Sequence, residues 1–160
     1  MEKLDIYDNC GNKTGKVVFR GDKNLNDNEY IKLAVVYLKA NNKYLVQKCS
    51  AQKGGEYAIT GGHVSSNNTS KQQCVIETKE ELGIDIDINN LQFLGTLIKQ
   101  PHAMFDIYLY EDNTLETFNF VLQEEEVESV HWLTKSQIDD LISKNLVRQS
   151  SVMHYTKYIR

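Results

Sequence analysis

The sequence contains little proline and little cysteine. Pro101 is the only proline among 160 residues, so turns must be made mainly by glycine and asparagine, which tolerate positive φ. The three cysteines, Cys10, Cys49 and Cys74, are odd in number and widely spaced, which argues against a disulfide framework and against a CxxC zinc site. Unpaired cysteines are typical of a reducing compartment, so we expect a cytoplasmic protein.

The sequence also lacks an excess of positive charge and any long apolar run. Its 18 basic and 22 acidic residues give a net charge of −4, so we expect no binding to polymeric nucleic acid, which requires clustered cations. The longest apolar run, Leu33–Leu38, is far shorter than the roughly 20 residues that span a bilayer. The segment Met1–Asp8 has no apolar core of a secretory signal. We therefore expect no membrane association.

The composition that remains is that of an ordinary globular domain. Hydrophobic residues make up 41% and charged residues 25% of the chain, and its length predicts a single domain over residues 1–160. Runs rich in β-branched and aromatic residues between turn residues indicate strands. The predicted strands are Leu4–Asp8, Lys16–Arg20, Tyr30–Lys39, Lys43–Lys48, Tyr57–Thr60, Ile84–Ile88, Leu91–Lys99, Met104–Tyr110 and Glu126–Leu133.

Two helices are predicted, one between Thr69 and Gly83 and one over Ser136–Lys144. The tail Ser150–Arg160 fits either a helix or irregular structure. Many strands and few helices, outside a strict strand–helix alternation, predict an α/β fold in which helices cover a mixed sheet.

The helix that follows Thr69 carries the clearest local signals. Thr69 and Gln72 have the spacing of a capping box, and Gly83 is placed to end the helix. At about 100° per residue, a narrow core-facing stripe is predicted for Val75, Thr78 and Leu82. Cys74 lies beside this stripe and is expected to be a buried small apolar residue rather than a nucleophile.

Three glutamates share the other side of the same helix. Glu77, Glu80 and Glu81 have the i, i+3 and i+4 spacing that places side chains on one face, where like charges repel. A solvated helix face would explain this triplet, and so would a divalent-cation site, because carboxylate oxygens suit Mg²⁺ or Mn²⁺. The pair Gly61-Gly62 just before the helix favours the cation site, because backbone without side chains can approach a metal or a phosphate closely.

The stretch from Gly62 to Ile84 resembles the Nudix box, G-x5-E-x7-R-E-U-x-E-E-x-G-U. The residues that match it at unbroken spacing are Gly62, Glu77, Glu80, Glu81, Gly83 and Ile84. The flanks also agree, because Tyr57–Val64 looks like the strand that enters the family's GGHV loop, and Glu125–Leu133 looks like its later E-V-x-x-v-x-W strand. Within the N-terminal extension, residues 1–28, the segments Asp5–Asp8 and Gly11–Gly15 look like the extension of the subgroup related to isopentenyl-diphosphate isomerase.

The resemblance implies an α/β/α sandwich with a central mixed sheet, and metal-dependent hydrolysis of a small-molecule diphosphate. The implied ligands of Mg²⁺ or Mn²⁺, which are also the implied catalytic residues, are Glu77, Glu80 and Glu81, and the Gly61 backbone would add a carbonyl. Gly61, Gly62 and His63 would contact the substrate, although a purely structural loop role fits His63 equally. The general base would be a box glutamate or one of Glu124–Glu126, and the N-terminal strands could pair across a homodimer.

The match fails at two positions of the box. Asn68 replaces the first glutamate, and Ile76 replaces the arginine that orients the neighbouring catalytic glutamate in the family. A guanidinium fixes a carboxylate in a way that an alkyl chain cannot, so these departures predict a reduced rate, and Ile76→Arg is expected to raise it roughly 10-fold. Cys49 stands where relatives often carry an arginine near the phosphates. The loops expected to set specificity are Arg20–Glu29, Gln100–Met104 and the tail from Leu146.

Three functions from different classes therefore stay open. The first is a Mg²⁺-dependent hydrolase of a nucleotide-like diphosphate. The second is a binding or regulatory module of the same fold that has lost catalysis, favoured by the changes at Asn68 and Ile76. The third is an isomerase of isopentenyl diphosphate, which in the family needs a dedicated cysteine motif and histidine metal ligands that this sequence does not show.

Overall fold

A computed structural model describes residues 1–160 and contains nine strands and three helices. The strands are β1 (Lys3–Tyr7), β2 (Lys13–Phe19), β3 (Tyr30–Ala40), β4 (Lys43–Cys49), β5 (Tyr57–Ala58), β6 (Gly61–His63), β7 (Gln92–Lys99), β8 (Ala103–Glu111) and β9 (Val127–Leu133). The helices are α1 (Ser70–Leu82), α2 (Lys135–Ser143) and α3 (Gln149–Tyr158). No helix has both the length and the apolar character that crossing a lipid bilayer requires.

Strand β3 is the centre of a mixed sheet. It runs parallel to β8 from Ile31 to Lys39, and antiparallel to β1, β4 and β6. Strand β4 continues the sheet through antiparallel pairing with β5 and β9, and β7 pairs antiparallel with β8. Strand β2 pairs only with β1 and forms an edge; its pairing across a homodimer stays a prediction.

Alternating residues of β3 supply the two faces of the sheet. Ala34, Val36 and Leu38 are buried against α1, together with Cys74 and Leu82 of that helix. Val35 and Tyr37 are buried on the opposite face, in a cluster that includes residues of α2 and α3. The period of two in a strand therefore produces one layer of helix on each side. The expected α/β/α sandwich with a central mixed sheet is confirmed.

The local signals of α1 are confirmed in detail. The Thr69 side chain accepts a hydrogen bond from the Gln72 N–H, and the Gln72 side chain accepts one from the Thr69 N–H, at 3.2 and 2.8 Å. Gly83 ends the helix in the left-handed region with φ 74°, where a side chain would be strained. The tail that the sequence left undecided forms α3, since Gln149–Tyr158 is helical.

The predicted strand Ile84–Ile88 is wrong. Ile84–Asp87 has no strand partner, and Ile88–Asn90 is a 3₁₀ turn. Ile84 and Ile86 are nevertheless buried while Asp85 and Asp87 are exposed. The apolar–polar alternation arises here because one side of an extended segment packs on the α1 layer of the core, without any ladder of hydrogen bonds.

Candidate active site

The end of β6, the helix α1 and the loop before β9 enclose a cavity of about 290 Å³. The structure brings all the predicted site residues to it, because its walls include Gly61, Gly62, His63, Glu77, Glu80 and Glu81. Its walls also include Arg20, from a loop expected to set specificity, and four residues for which no role was predicted, namely Glu2, Ser65, Gln73 and Gln123. Glu2 lies just before β1 and Arg20 just after β2, so the N-terminal extension contributes to the cavity.

The glycine pair is required by close packing rather than by an unusual backbone angle. Gly61 pairs with Val35 of β3, and a Cβ at Gly61 would lie 2.4 Å from the carbonyl oxygen of Ala34. A Cβ at Gly62 would lie 2.3 Å from Oε1 of Glu77. Both distances are well below van der Waals contact, so any larger residue would displace the β6 backbone or the Glu77 carboxylate.

The three glutamates of α1 differ in exposure. The side chain of Glu80 is exposed, Glu77 is half-buried, and Glu81 is only 8% exposed. The expectation that all three share a face opposite the core therefore needs correction for Glu81, which is buried on α1 together with Cys74, Thr78 and Leu82. Gln47 of β4 bonds the Glu81 carboxylate, and the Gln123 N–H of the loop before β9 bonds the Glu81 carbonyl.

Burial also changes the acidity of these groups. It raises the pKa of Glu81 to about 8, an effect that the nearby Glu77 and Glu126 carboxylates increase and a hydrogen bond from Gln47 opposes. Burial likewise raises the pKa of Glu77, with a further contribution from Glu80. Desolvation and like charge both disfavour the ionised form, so a cation that neutralised the cluster would be bound favourably.

Two buried amides contact these carboxylates. Nε2 of Gln47 on β4 donates to Oε2 of Glu81 at 2.7 Å and to Oγ1 of Thr60 at 3.0 Å. Nε2 of Gln73 on α1 donates to Oε1 of Glu77 at 2.8 Å. The Gln73 contact joins residues one helical turn apart, whereas the Gln47 contact joins a strand to a helix 34 residues later in the chain.

The potential metal ligands around the cavity suit a hard divalent cation. They are carboxylate oxygens together with the backbone of Gly61, and Mg²⁺ and Mn²⁺ prefer oxygen ligands. No lysine or arginine forms an ion pair with Glu77, Glu80 or Glu81. No three acidic, histidine or cysteine side chains converge on one point at ligand distance. The three glutamates therefore have the right ligand chemistry for the cation, but their side chains would have to rotate for all three to bind it.

Comparison with known families decides the assignment. The family model described as the NUDIX domain matches residues 31–154. The chain belongs to the Nudix family. A relative in Listeria innocua, an uncharacterised Nudix hydrolase, is 29% identical over 147 residues, which cover 89% of this chain and 86% of the relative.

Solved structures agree with this fold. The crystal structure of DR0079 from Deinococcus radiodurans has a TM-score of 0.81 at 16% identity and covers 99% of this chain and 100% of that one. A bifunctional NMN adenylyltransferase/ADP ribose pyrophosphatase from Francisella tularensis, solved with AMP and a Mn ion, has a TM-score of 0.65 at 15% identity. That match covers 79% of this chain and 40% of the Francisella protein.

The two departures from the Nudix box occupy different surroundings. Ile76 is half-buried and lies outside the core, between the cavity and a shallow groove whose walls include Val75, Ile86 and Ile88. Asn68 points its amide toward the cavity wall, where Nδ2 donates to Oε1 of Gln73 at 3.1 Å. Asn68 is therefore connected to Glu77 through Gln73, whereas Ile76 has no polar group to offer.

An arginine from elsewhere in the chain reaches the position of Cys49. Nη2 of Arg148, the residue before α3, lies 3.4 Å from Sγ of Cys49. The two residues line a second cavity of about 170 Å³ that shares Gly61, Gly62 and Glu81 with the first. Burial raises the pKa of the Cys49 thiol, which therefore stays protonated and neutral at pH 7. A guanidinium is thus present beside the Nudix box although β4 does not supply it.

The other segments with a predicted role differ in whether they reach the two cavities. Of the Glu124–Glu126 run, only Glu126 lines the cavity, and it forms an ion pair with Lys53 at 2.9 Å. His63 is the only histidine that lines either cavity, and no residue of Gln100–Met104 lines them. The other two segments expected to set specificity do reach the cavities, through Arg20 of the loop Arg20–Glu29 and Arg148 of the tail from Leu146.

Proposed function

We propose that the chain hydrolyses a phosphoanhydride bond of a small-molecule diphosphate, such as a nucleoside diphosphate derivative, with Mg²⁺ or Mn²⁺ as cofactor. The observation that carries this proposal is the meeting of the three box glutamates and the Gly61-Gly62 loop at one polar cavity. Membership in the Nudix family supports the reaction class, and the mixed distribution of acidic and basic groups around the cavity supports a charged substrate.

The proposed cation ligands are the carboxylates of Glu77, Glu80 and Glu81 and the carbonyl of Gly61. When bound, such a cation would offset charge on the phosphate oxygens and lower the pKa of an attacking water. The proton from that water would pass to a box glutamate or to Glu126. The burial of Glu81 and the partial burial of Glu77 limit the access of bulk water to these carboxylates, which strengthens their electrostatic interactions.

The substrate phosphates would lie on the side of the cavity lined by cations. Arg148, Lys53 and Arg20 all line the second cavity beside Gly61 and Gly62. A guanidinium can bind two phosphate oxygens at once, and Arg148 is held beside the cavity by its contact with Cys49 and by donation to the Lys53 carbonyl at 3.3 Å. Arg148 would therefore take the role of the arginine that Cys49 replaces.

Removing the Arg148 guanidinium is expected to weaken substrate binding. Arg148→Ala should raise KM roughly 10-fold, and Arg148→Lys should recover part of that loss because it keeps the charge but not the paired donors. Steady-state kinetics at saturating Mg²⁺ would measure both variants, with thermal melts to show that α3 is intact. An unchanged KM in a folded Arg148→Ala protein would exclude this residue from the phosphate site.

The direct test of the proposed function is a substrate screen. The purified chain with Mg²⁺ or Mn²⁺ is offered nucleoside diphosphates and triphosphates, nucleoside diphosphate sugars and dinucleoside polyphosphates, and the release of phosphate or monophosphate is measured. Glu80→Gln, which changes an exposed side chain and leaves the core intact, is the matched inactive control. Turnover by the chain and not by Glu80→Gln supports the proposal, and no turnover of any compound at high protein concentration contradicts it.

A binding module without catalysis is the second candidate. The observation that favours it is that no three potential ligands converge at ligand distance. Calorimetry with the same compounds distinguishes the two functions, because a binding module would bind a diphosphate tightly without turnover and with little dependence on Mg²⁺.

A further inference from the structure

The hydrogen bonds of Gln73 form a chain that ends on a box glutamate. Gln73 is 3% exposed, and its Oε1 accepts hydrogen bonds from the Ser65 backbone N–H at 3.2 Å and from Nδ2 of Asn68 at 3.1 Å. Its Nε2 donates to Oε1 of Glu77 at 2.8 Å. Gln73 and Glu77 are four residues apart on one helix, so their side chains meet on the same face.

The surroundings of Gln73 determine which way its amide points. A backbone N–H can only donate, so the amide oxygen must face Ser65 and the amide nitrogen must face Glu77. The reversed amide would place Nε2 against two donors and Oε1 against a carboxylate oxygen. The amide is therefore fixed with a donor directed at Glu77, and burial keeps it in that arrangement.

Gln47 provides a similar contact from another part of the fold. It is 4% exposed and lies on β4, where its Nε2 uses one hydrogen on Oγ1 of Thr60 at 3.0 Å and the other on Oε2 of Glu81 at 2.7 Å. Glu77 and Glu81 thus each receive one hydrogen bond from one buried amide. These amides come from two separate elements, a helix and a strand.

We propose that Gln73, supported by Asn68, is a positioning residue for Glu77 and replaces the orienting arginine that is absent at Ile76, and that Gln47 has the same role for Glu81. The roles rest on the proposed function, since the orientation of these carboxylates matters only if they hold a cation. Both departures from the Nudix box are then explained together. Asn68, at the position of the first box glutamate, orients the amide that replaces the lost guanidinium.

The amide and the guanidinium differ in charge. A guanidinium would pair with the glutamate and neutralise part of its charge, whereas an amide directs the carboxylate and leaves its charge for the cation. A single neutral hydrogen bond is also weaker than a charged, two-pronged one. The arrangement therefore gives up some rigidity and adds no positive charge of its own beside the glutamates.

The test is direct Mn²⁺ binding by calorimetry, without substrate. Gln73→Leu keeps a similar volume but removes the donor to Glu77, and is expected to weaken Mn²⁺ binding roughly 10- to 100-fold. Asn68→Ala leaves Gln73 in place without its outer partner, and a smaller loss of about 3- to 10-fold is expected. Gln92→Leu, on an exposed face of β7, is the matched control and should bind Mn²⁺ like the unmodified chain.

A rescue experiment separates positioning from general stability. Introducing Ile76→Arg into the Gln73→Leu protein supplies a new donor near the cluster, and is expected to recover at least several-fold in Mn²⁺ affinity. The same Ile76→Arg change in the unmodified chain should give a smaller gain in Mn²⁺ affinity, because Glu77 already has its donor. A merely structural role for Gln73 would change the melting temperature and would show no such dependence on Arg at position 76.

Each outcome decides between the proposals. If the unmodified chain does not bind Mn²⁺, the proposed function and the positioning roles both fail. If it binds Mn²⁺ and folded Gln73→Leu binds equally well, only the role of Gln73 fails. If Gln73→Leu does not fold, the test rests on Asn68→Ala. An unchanged Mn²⁺ affinity in that variant would show that the hydrogen bonds through Gln73 do not position Glu77 for the cation.

Discussion

Glu81→Gln is expected to abolish most of the hydrolase activity and to stabilise the metal-free chain at alkaline pH. As a proposed ligand and candidate general base, Glu81 should contribute roughly 100- to 10,000-fold to the rate. Its carboxylate is 8% exposed and unpaired by any cation, so it is costly to ionise when no metal is bound. Glutamine has nearly the same shape and carries no charge, and thus removes that cost along with the chemistry.

The pH dependence of stability follows from the direction in which burial shifts the pKa of Glu81. Burial raises the pKa of Glu81 from 4.5 to about 8 in the folded chain, so the folded state binds more protons than the unfolded state between those values. The resulting stability is fully present below pH 4.5 and is lost as pH rises through 8. At pH 9 the variant should therefore exceed the metal-free parent chain by about 2–4 kcal/mol in free energy of unfolding, and by little at pH 4.5.

Chemical denaturation at both pH values, with a chelator present, measures this difference. Glu80→Gln is the control, since its exposed side chain should affect activity and metal binding without the alkaline gain in stability. A Glu81→Gln protein that is inactive but no more stable at pH 9 would contradict the burial argument. One that is fully active would remove Glu81 from the candidate site.

Local signals predicted α1 well, because each of them acts within a few residues. The capping pair Thr69 and Gln72 and the stop at Gly83 need only the backbone of the helix itself, and all three are present in the structure. The strands next to the site were also recognisable, because alternating apolar residues report burial on one face of the sheet. The Nudix box then located the glutamates and the glycine loop, and these residues do meet at one cavity.

The contacts that tune the site could not be predicted, because they join distant parts of the chain. Gln47 lies 34 residues before Glu81, and Arg148 lies 99 residues after Cys49. A helical wheel shows which residues share a face, but not that a strand and a loop cover that face and bury Glu81. The same limit explains the error at Ile84–Ile88, where alternation reports burial and does not report a hydrogen-bonded partner.

The tail of the chain shows this limit most clearly, because helix α3 contains a buried histidine that no sequence pattern indicated. His154 is 2% exposed, and its Nδ1 lies 2.5 Å from the hydroxyl of Tyr37 on β3. Its ring also packs edge-on against Tyr37. No carboxylate is bonded to the ring, so nothing compensates for a positive charge on it.

Acidification is therefore expected to destabilise the chain through His154. Burial lowers the pKa of His154 from 6.5 to about 3. Below pH 6.5 the unfolded state therefore binds a proton at this histidine that the folded state does not bind. The stability is complete above pH 6.5 and falls as pH decreases toward 3, which amounts to about 2 kcal/mol lost between pH 7 and pH 5. Denaturant titrations at several pH values in that range would measure the slope.

His154→Gln provides the comparison, because glutamine can still form a hydrogen bond with Tyr37 but does not titrate. Other acidic and basic groups contribute equally to both proteins, so the difference between the two slopes isolates the histidine. The variant is expected to start less stable at pH 7, since the ring's packing against Tyr37 is lost, and to approach the parent chain as pH falls. Because α3 begins directly after Arg148, acid should also weaken the proposed phosphate site, and parallel slopes for the two proteins would show that His154 is not the group responsible.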